Sequence, residues 1–120
     1  MASKAEIAFR SYWDTHYEEL FPMVSEYKFH PARRWRVDFV NLEYKLAVEV
    51  QGWAAGGGHG GSRQSLSSDT EKHQQLAILG WTYFPILASE CTKRIDVAVL
   101  PVLEWINTHT PVRLREPGSW

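Results

Sequence analysis

The sequence predicts a mixed α/β fold, in which a β-sheet with a central antiparallel hairpin is flanked by helices. The hairpin is predicted from residues 35–40 and 45–51, because large apolar and polar side chains alternate along both segments. Helical patterns, with apolar residues three and four positions apart, precede and follow the hairpin. The expected element order is helix, three strands, helix, strand, helix.

The first helix is expected over residues 3–20. Ser3 and Glu6 have the spacing of a capping box, which marks a helix start. Its expected core stripe consists of Phe9, Trp13, Tyr17 and Leu20. Pro22 ends the helix, because a proline disfavours the helical conformation of the residue before it.

A first strand is expected over residues 25–29, and a turn at residues 41–44 joins the next two strands. With that turn, Asp38 lies opposite Ala47. Glu49 then lies one diagonal step away on the same face, about 7 Å or less between β-carbons.

Two carboxylates held this close repel each other unless a cation or a proton lies between them. Acidic residues are also common on the solvent-facing side of a hairpin. Two features favour a divalent-metal site over that reading. Asp is a poor strand residue, yet Asp38 stands between Val37 and Phe39. Glu49 lies in an apolar strand, where a buried carboxylate needs a partner.

The second half of the chain predicts a helix over residues 68–79. The run Ser-Asp-Thr-Glu at 68–71 has capping-box spacing, and Gly80 suits the position just after a helix end. Lys72 shares the expected buried face with Leu76, four residues later.

A further strand is expected over residues 81–86, with Pro85 placing its end at a sheet edge. A final helix is expected over residues 92–107, and Pro101 either kinks it or splits it in two.

Five glycines occupy the six positions 56–61. Because glycine loses much conformational entropy on ordering, residues 52–63 are interpreted as a mobile flap beside the carboxylates. His59 and Arg63 could contact DNA from this flap. A flexible linker without a role is the alternative.

Length and composition indicate a single folded domain over residues 1–107 with an extended tail at 108–120, which could pack on its own domain, on a second subunit or on DNA. The single cysteine, Cys91, excludes an internal disulfide and suggests a reducing compartment. With no long apolar stretch, the expected location is cytoplasmic and not membrane-bound.

The net charge of −1 is unevenly distributed. A basic block beside the carboxylates, suited to phosphate, consists of Lys28, His30, Arg33, Arg34 and Arg36.

The spacing from Asp38 to the run Glu49-Val50-Gln51 resembles the core of the PD-(D/E)XK nuclease superfamily. Further sequence motifs narrow the resemblance from the superfamily to one group within it. Their order along the chain is similar to that in small phage and archaeal-type Holliday-junction resolvases, and very-short-patch-repair-like relatives are the next most similar group. The motifs are residues 26–31, 33–39, 46–52, 69–72 and 79–81.

This resemblance implies a restriction-endonuclease-like core and hydrolysis of a phosphodiester that depends on Mg²⁺ or Mn²⁺. Asp38 and Glu49 would hold the ion together with the main-chain carbonyl of Val50. In the resolvases, an acidic residue on the first helix reaches the metal site, and Glu6 is the candidate for that position. Glu6 could instead serve only the capping box.

The chain departs from the family pattern at one position, since Gln51 stands where the family has a lysine. Glutamine cannot carry positive charge, although it can orient a water or bind a metal through its oxygen. Either Gln51 works with a second ion, or Lys72 supplies the cation, or nuclease activity is lost.

The favoured function is therefore a structure-selective endonuclease that resolves four-way DNA junctions as a homodimer, since resolution needs two symmetrical nicks. Arg33, Arg34 and Arg36 would bind phosphate. The alternatives are a mismatch-nicking or restriction-type endonuclease, and a catalytically silent DNA-binding subunit of the same fold.

Overall fold

The computed structural model describes residues 2–52 and 63–120, with side chains of the second range described from residue 68 onward. Most of the predicted flap, including His59, lies outside the described residues. So does the side chain of Arg63, although its backbone belongs to a helix.

Within these ranges, the strands form one four-stranded sheet in the order β1-β2-β3-β4. The strands are β1 (Val24–Lys28), β2 (Arg36–Asn41), β3 (Leu46–Gln51) and β4 (Thr82–Leu87). β2 pairs antiparallel with both β1 and β3, whereas β3 and β4 run parallel. The helices are α1 (Lys4–His16), α2 (Arg63–Ile78), α3 (Ala88–Lys93), α4 (Ile95–Ala98) and α5 (Leu100–His109). The predicted fold class is confirmed.

The sheet lies between two helical layers with separate apolar cores. On one face, α1 and α3–α5 bury the larger core, which includes Phe9, Trp13, Phe39, Val48, Val102 and Ile106. On the other face, α2 covers a smaller core of Phe29, Val37, Val40, Ala47 and Leu76. Burial of these side chains supplies most of the driving force for the three-layer arrangement.

Helix α1 is shorter than predicted. It ends at His16, and the amides of Leu20 and Phe21 donate to the Tyr17 carbonyl in the following turn. Leu20 is 62% exposed, so its assignment to the core stripe was wrong. Phe21 is buried in its place, and its carbonyl accepts a hydrogen bond from the Trp13 indole at 2.8 Å.

Helix α2 begins at Arg63, five residues before the predicted start at Ser68, so the second capping box was wrong. Its end was predicted correctly. Gly80 has φ of +87°, its amide donates to the Ala77 carbonyl, and the next amide donates to the Leu76 carbonyl. These two bonds form a Schellman motif, which needs the left-handed conformation that glycine adopts without strain.

The final helical region consists of three short helices, whereas one helix, kinked or split in two at Pro101, was predicted. Breaks at Arg94 and Val99 separate α3, α4 and α5. Pro101 lies in the first turn of α5, where its missing amide hydrogen leaves no bond unmade.

The tail packs on its own domain. Leu114 is buried, the Tyr17 hydroxyl donates to the Arg115 carbonyl at 2.8 Å, and the Trp120 ring stacks on His16 with centroids 4.3 Å apart. None of the described helices is long and apolar enough to cross a membrane.

Candidate functional site

The hairpin register differs by two residues from the prediction. Phe39 pairs with Val48 and Val40 with Ala47, because Asn41 belongs to β2 and its side chain accepts a hydrogen bond from the Tyr44 amide at 2.8 Å. The loop therefore lies at residues 42–45, and the predicted pairing of Asp38 with Ala47 was wrong. A two-residue shift preserves the alternation of faces along β3. Glu49 lies on the side of the sheet that α2 covers, where it contacts Lys72.

Asp38 lies where the alternation of β2 breaks. Val37 belongs to the core under α2, whereas Phe39, two residues later, belongs to the core under α1. Glu26 is the residue of β1 at the level of Asp38, between the regular pairs that Phe39 and Val37 form with β1. The backbone φ of Glu26 is 51°. The Asp38 carboxylate turns toward β3, and its Oδ2 accepts a hydrogen bond from the Val50 amide at 2.8 Å.

Asp38 also gathers charged groups from both helical layers. The pKa of Asp38 is raised to about 6, mainly by burial and also by negative charge on Glu6 and Glu49, while the Val50 amide and the Lys72 ammonium act in the opposite direction. The structure thus brings Glu6 from α1 and Lys72 from α2 within electrostatic range of one carboxylate.

Glu49 is held by Lys72. The ammonium donates to Oε2 at 2.6 Å, and the two side chains are only 15% and 14% exposed. Lys72 lies four residues before buried Leu76, on the face expected from the sequence. Because both groups are withdrawn from water, removing either one would leave the other charge uncompensated.

Gln51 contacts a residue that the sequence did not single out. Its Nε2 donates to the Tyr83 hydroxyl at 2.5 Å, and the Tyr83 ring faces His73 with centroids 4.1 Å apart. The Nε2 of His73 lies 4.0 Å from Oε1 of Glu49, and the His73 side chain is 39% exposed. No local signal marks either residue, because Tyr83 is brought to Gln51 by the parallel pairing of β3 with β4 and His73 is brought to Glu49 by the packing of α2 on the sheet.

Glu6 serves the helix start and also borders the site. Its amide donates to the Ser3 hydroxyl at 3.2 Å, and that hydroxyl donates to the Glu6 carboxylate at 3.0 Å. A groove of about 450 Å³ runs beside α1. Its charged lining consists of Glu6, Arg10, Asp14, Glu26 and Asp38. The two readings of Glu6 are therefore compatible.

The basic block is divided by the structure. The Arg33 guanidinium lies 3.9 Å from the centre of the Trp35 ring and donates to Glu71 at 3.0 Å, so its charge is already paired. His30 has a structural role, since its Nδ1 accepts from the Arg33 amide at 2.9 Å. Arg34 and Arg36 are exposed.

The donor atoms at Asp38 and Glu49 fit a hard divalent cation, which prefers carboxylate and carbonyl oxygens. Burial raises the pKa of Asp38 most, and the negative charge of Glu6 and Glu49 also raises it. A bound cation would offset that local excess of negative charge. Among residues 2–52 and 63–120, no three His, Cys, Asp or Glu side chains are grouped closely enough to hold a metal by themselves. Two carboxylates would therefore need the main-chain oxygen of Val50 or water to complete the ligand set.

No family model matches this chain, and no curated protein does. Among solved structures, the chain is similar to the "Homing Endonuclease I-Bth0305I Catalytic Domain", with a TM-score of 0.58 and 20% sequence identity. The similarity covers 91% of this chain and 100% of that domain. The chain therefore shares its fold, over nearly its whole length, with a homing endonuclease catalytic domain.

Proposed function

We propose that this protein is a metal-dependent DNA endonuclease, with four-way junctions as its favoured substrate. One observation carries the proposal: Asp38 and Glu49 lie on adjoining strands, with Asp38 fixed by the Val50 amide and Glu49 by Lys72. An acidic pair with a cationic side chain beside it suits the hydrolysis of a phosphodiester, which needs both a metal and charge stabilisation.

Two further observations support a nucleic-acid substrate. The fold is shared with a homing endonuclease catalytic domain. In addition, Arg34 and Arg36 are exposed on the chain segment that leads into Asp38. Contacts from arginine to phosphate fix the position of a protein on DNA without reading its bases, which suits recognition of a branched shape.

Asp38, Glu49 and the Val50 main-chain carbonyl would hold Mg²⁺ or Mn²⁺. When bound, the ion would polarise the phosphoryl group and lower the pKa of the attacking water. Lys72 orients Glu49 and places positive charge beside it. Gln51 presents a carboxamide for hydrogen bonding, and Glu6 adds negative charge from α1.

Resolution of a four-way junction needs two symmetrical nicks, so this proposal includes a homodimer with two-fold symmetry. The test uses labelled four-way, flap, mismatched and linear duplexes in Mg²⁺, and we expect paired symmetrical nicks in the four-way substrate. A single nick confined to the mismatched or linear duplex would favour a mismatch-nicking or restriction-type enzyme.

Asp38→Asn and Glu49→Gln should abolish cleavage while leaving DNA binding in EDTA largely intact. Glu19→Gln is the control, because Glu19 is exposed just after α1 and should leave cleavage unchanged. If either site variant retained cleavage, Asp38 and Glu49 would not form the catalytic site. DNA binding in EDTA without cleavage in Mg²⁺ or Mn²⁺ would identify a silent DNA-binding subunit.

A further inference from the structure

The side chain of Gln51 has one defined orientation. Its Nε2 donates to the Tyr83 hydroxyl at 2.5 Å, which leaves the carboxamide oxygen as the atom that this bond does not use. A side-chain amide has donors at one end and an acceptor at the other. The partner of the nitrogen therefore decides which atom Gln51 presents elsewhere.

The charges around Tyr83 favour this orientation. Burial raises the pKa of the phenol, and so does negative charge on Glu49, Asp69 and Asp38, so the hydroxyl stays protonated. Its hydrogen is attracted toward the carboxylates, and a lone pair is then available to Gln51. The hydroxyl consequently acts as the acceptor in this contact.

Tyr83 is itself fixed in position. Its backbone on β4 pairs with Ala47 on β3, and its ring packs against His73 at 4.1 Å with an interplanar angle of 35°. A residue held by both a strand and a ring contact can impose its geometry on a flexible glutamine side chain.

We propose that Tyr83 is a positioning residue that directs the carboxamide oxygen of Gln51 toward the site formed by Asp38 and Glu49. This inference rests on the proposed function and deepens it. The oxygen is an acceptor, suited to orient a water or to bind a cation, whereas positive charge comes from Lys72. Gln51 and Lys72 together would then fill the role that a single lysine has in the family.

The first test replaces Tyr83 by Phe, which removes the hydroxyl and keeps the ring. The readout is the ¹⁵N–¹H resonance pair of the Gln51 side-chain amide in metal-free protein. We expect the pair to move toward the values of a solvated glutamine and to exchange faster with solvent. Tyr27→Phe is the matched control, because Tyr27 packs its ring on Trp81 beside the same core, and it should leave the pair unchanged.

The second test is a double-mutant cycle on cleavage of a four-way junction. Since a hydrogen bond contributes roughly 1 kcal/mol, Tyr83→Phe should lower kcat about fivefold and leave KM for DNA unchanged. In a Gln51→Ala background the same change should cause no further loss, because a residue that acts only through Gln51 has nothing left to position.

Two results would overturn the proposal: an unchanged Gln51 resonance pair in Tyr83→Phe, or losses that multiply in the double variant. If the wild-type protein cleaves none of the substrates, it is the proposed nuclease function that fails. The resonance pair alone then decides whether Tyr83 orients Gln51.

Discussion

The ammonium group of Lys72 on α2 is bonded to the carboxylate of Glu49 on β3 across 2.6 Å. These residues are 23 positions apart in the sequence, and the pair joins a helical layer to the sheet at the candidate site. Removing either partner leaves the other charge unpaired in surroundings with little water. This destabilises the fold more than replacing both partners would.

Lys72→Ala should therefore lower the free energy of unfolding by about 2 kcal/mol, since it leaves Glu49 without its charged partner. Urea denaturation at pH 7 measures this difference. Adding Glu49→Gln should restore part of the loss. Lys28→Ala, at an exposed position on β1, is the control and should change stability by less than about 0.5 kcal/mol. If Lys72→Ala leaves DNA cleavage unaffected, Lys72 does not supply the positive charge that the family's lysine would provide at the position of Gln51.

Asp38 predicts a specific dependence of stability on pH. Its folded-state pKa of about 6 lies above its ordinary value of 3.8, so the folded state favours the protonated form. The resulting stabilisation is fully present below the unfolded pKa and is lost as pH rises through 6. In EDTA at pH 8, Asp38→Asn should thus be more stable than wild type by about 1 kcal/mol, allowing for partial exposure. Below pH 4 the two proteins should be equally stable, and an advantage that persists there would contradict this cause.

Divalent cations should reverse that order. Because an ion that binds only the folded state stabilises it, Mg²⁺ should raise the melting temperature of the wild type, with a gain of about 2.7 kcal/mol at 100 times the dissociation constant. Asp38→Asn should gain much less, and EDTA should abolish the effect in both. Equal shifts in the two proteins would mean that the ion binds elsewhere.

Arg34 and Arg33 should differ in their contribution to DNA binding, although they are adjacent. Arg34→Ala should reduce the slope of log affinity against log salt by about one, as expected when one phosphate contact is lost. Arg33→Ala should change the slope less, because Glu71 already pairs with that charge. Titration of a labelled four-way junction in EDTA at several salt concentrations measures both slopes. An unchanged slope for Arg34→Ala would contradict its role.

Arg10 joins α1 to the chain that leads into β1. Its guanidinium donates to the Met23 carbonyl at 2.7 Å and to Ser25 at 3.1 Å, and it pairs with Asp14 and Glu18. Arg10→Ala should lower the free energy of unfolding by about 2 kcal/mol, because a partly buried carbonyl and two carboxylates lose their donor. Lys4→Ala, at an exposed position at the start of the same helix, should have little effect in the same denaturation experiment.

The sequence was sufficient for the order of elements and for the sheet between two helical layers, because alternation and helical periodicity are local signals. The pairing register of β2 with β3 could not be predicted from the sequence. A hairpin shifted by two residues has the same alternation, and the choice depends on the Asn41 side chain, whose oxygen accepts from the Tyr44 amide. Similarly, capping-box spacing at Ser68 is not decisive when the residues before it can continue the helix.

The acidic pair and its lysine could be proposed from the sequence, since each lies on a recognisable strand or helix face. Tyr83 and His73 could not. Tyr83 lies in an aromatic strand that reads as core, and only the parallel pairing of β4 with β3 brings its hydroxyl to Gln51. Contacts that depend on two distant segments lying side by side leave no mark in either segment alone.

The break in alternation at Asp38 has a consequence for when the protein can act. Its carboxylate has charged neighbours on α1, which precedes the strands in the chain, and on α2, which follows the first three strands. A nascent or half-folded chain that lacks either layer would lack part of the candidate site. On the proposed nuclease function, we therefore expect DNA scission to begin only when the whole domain is folded.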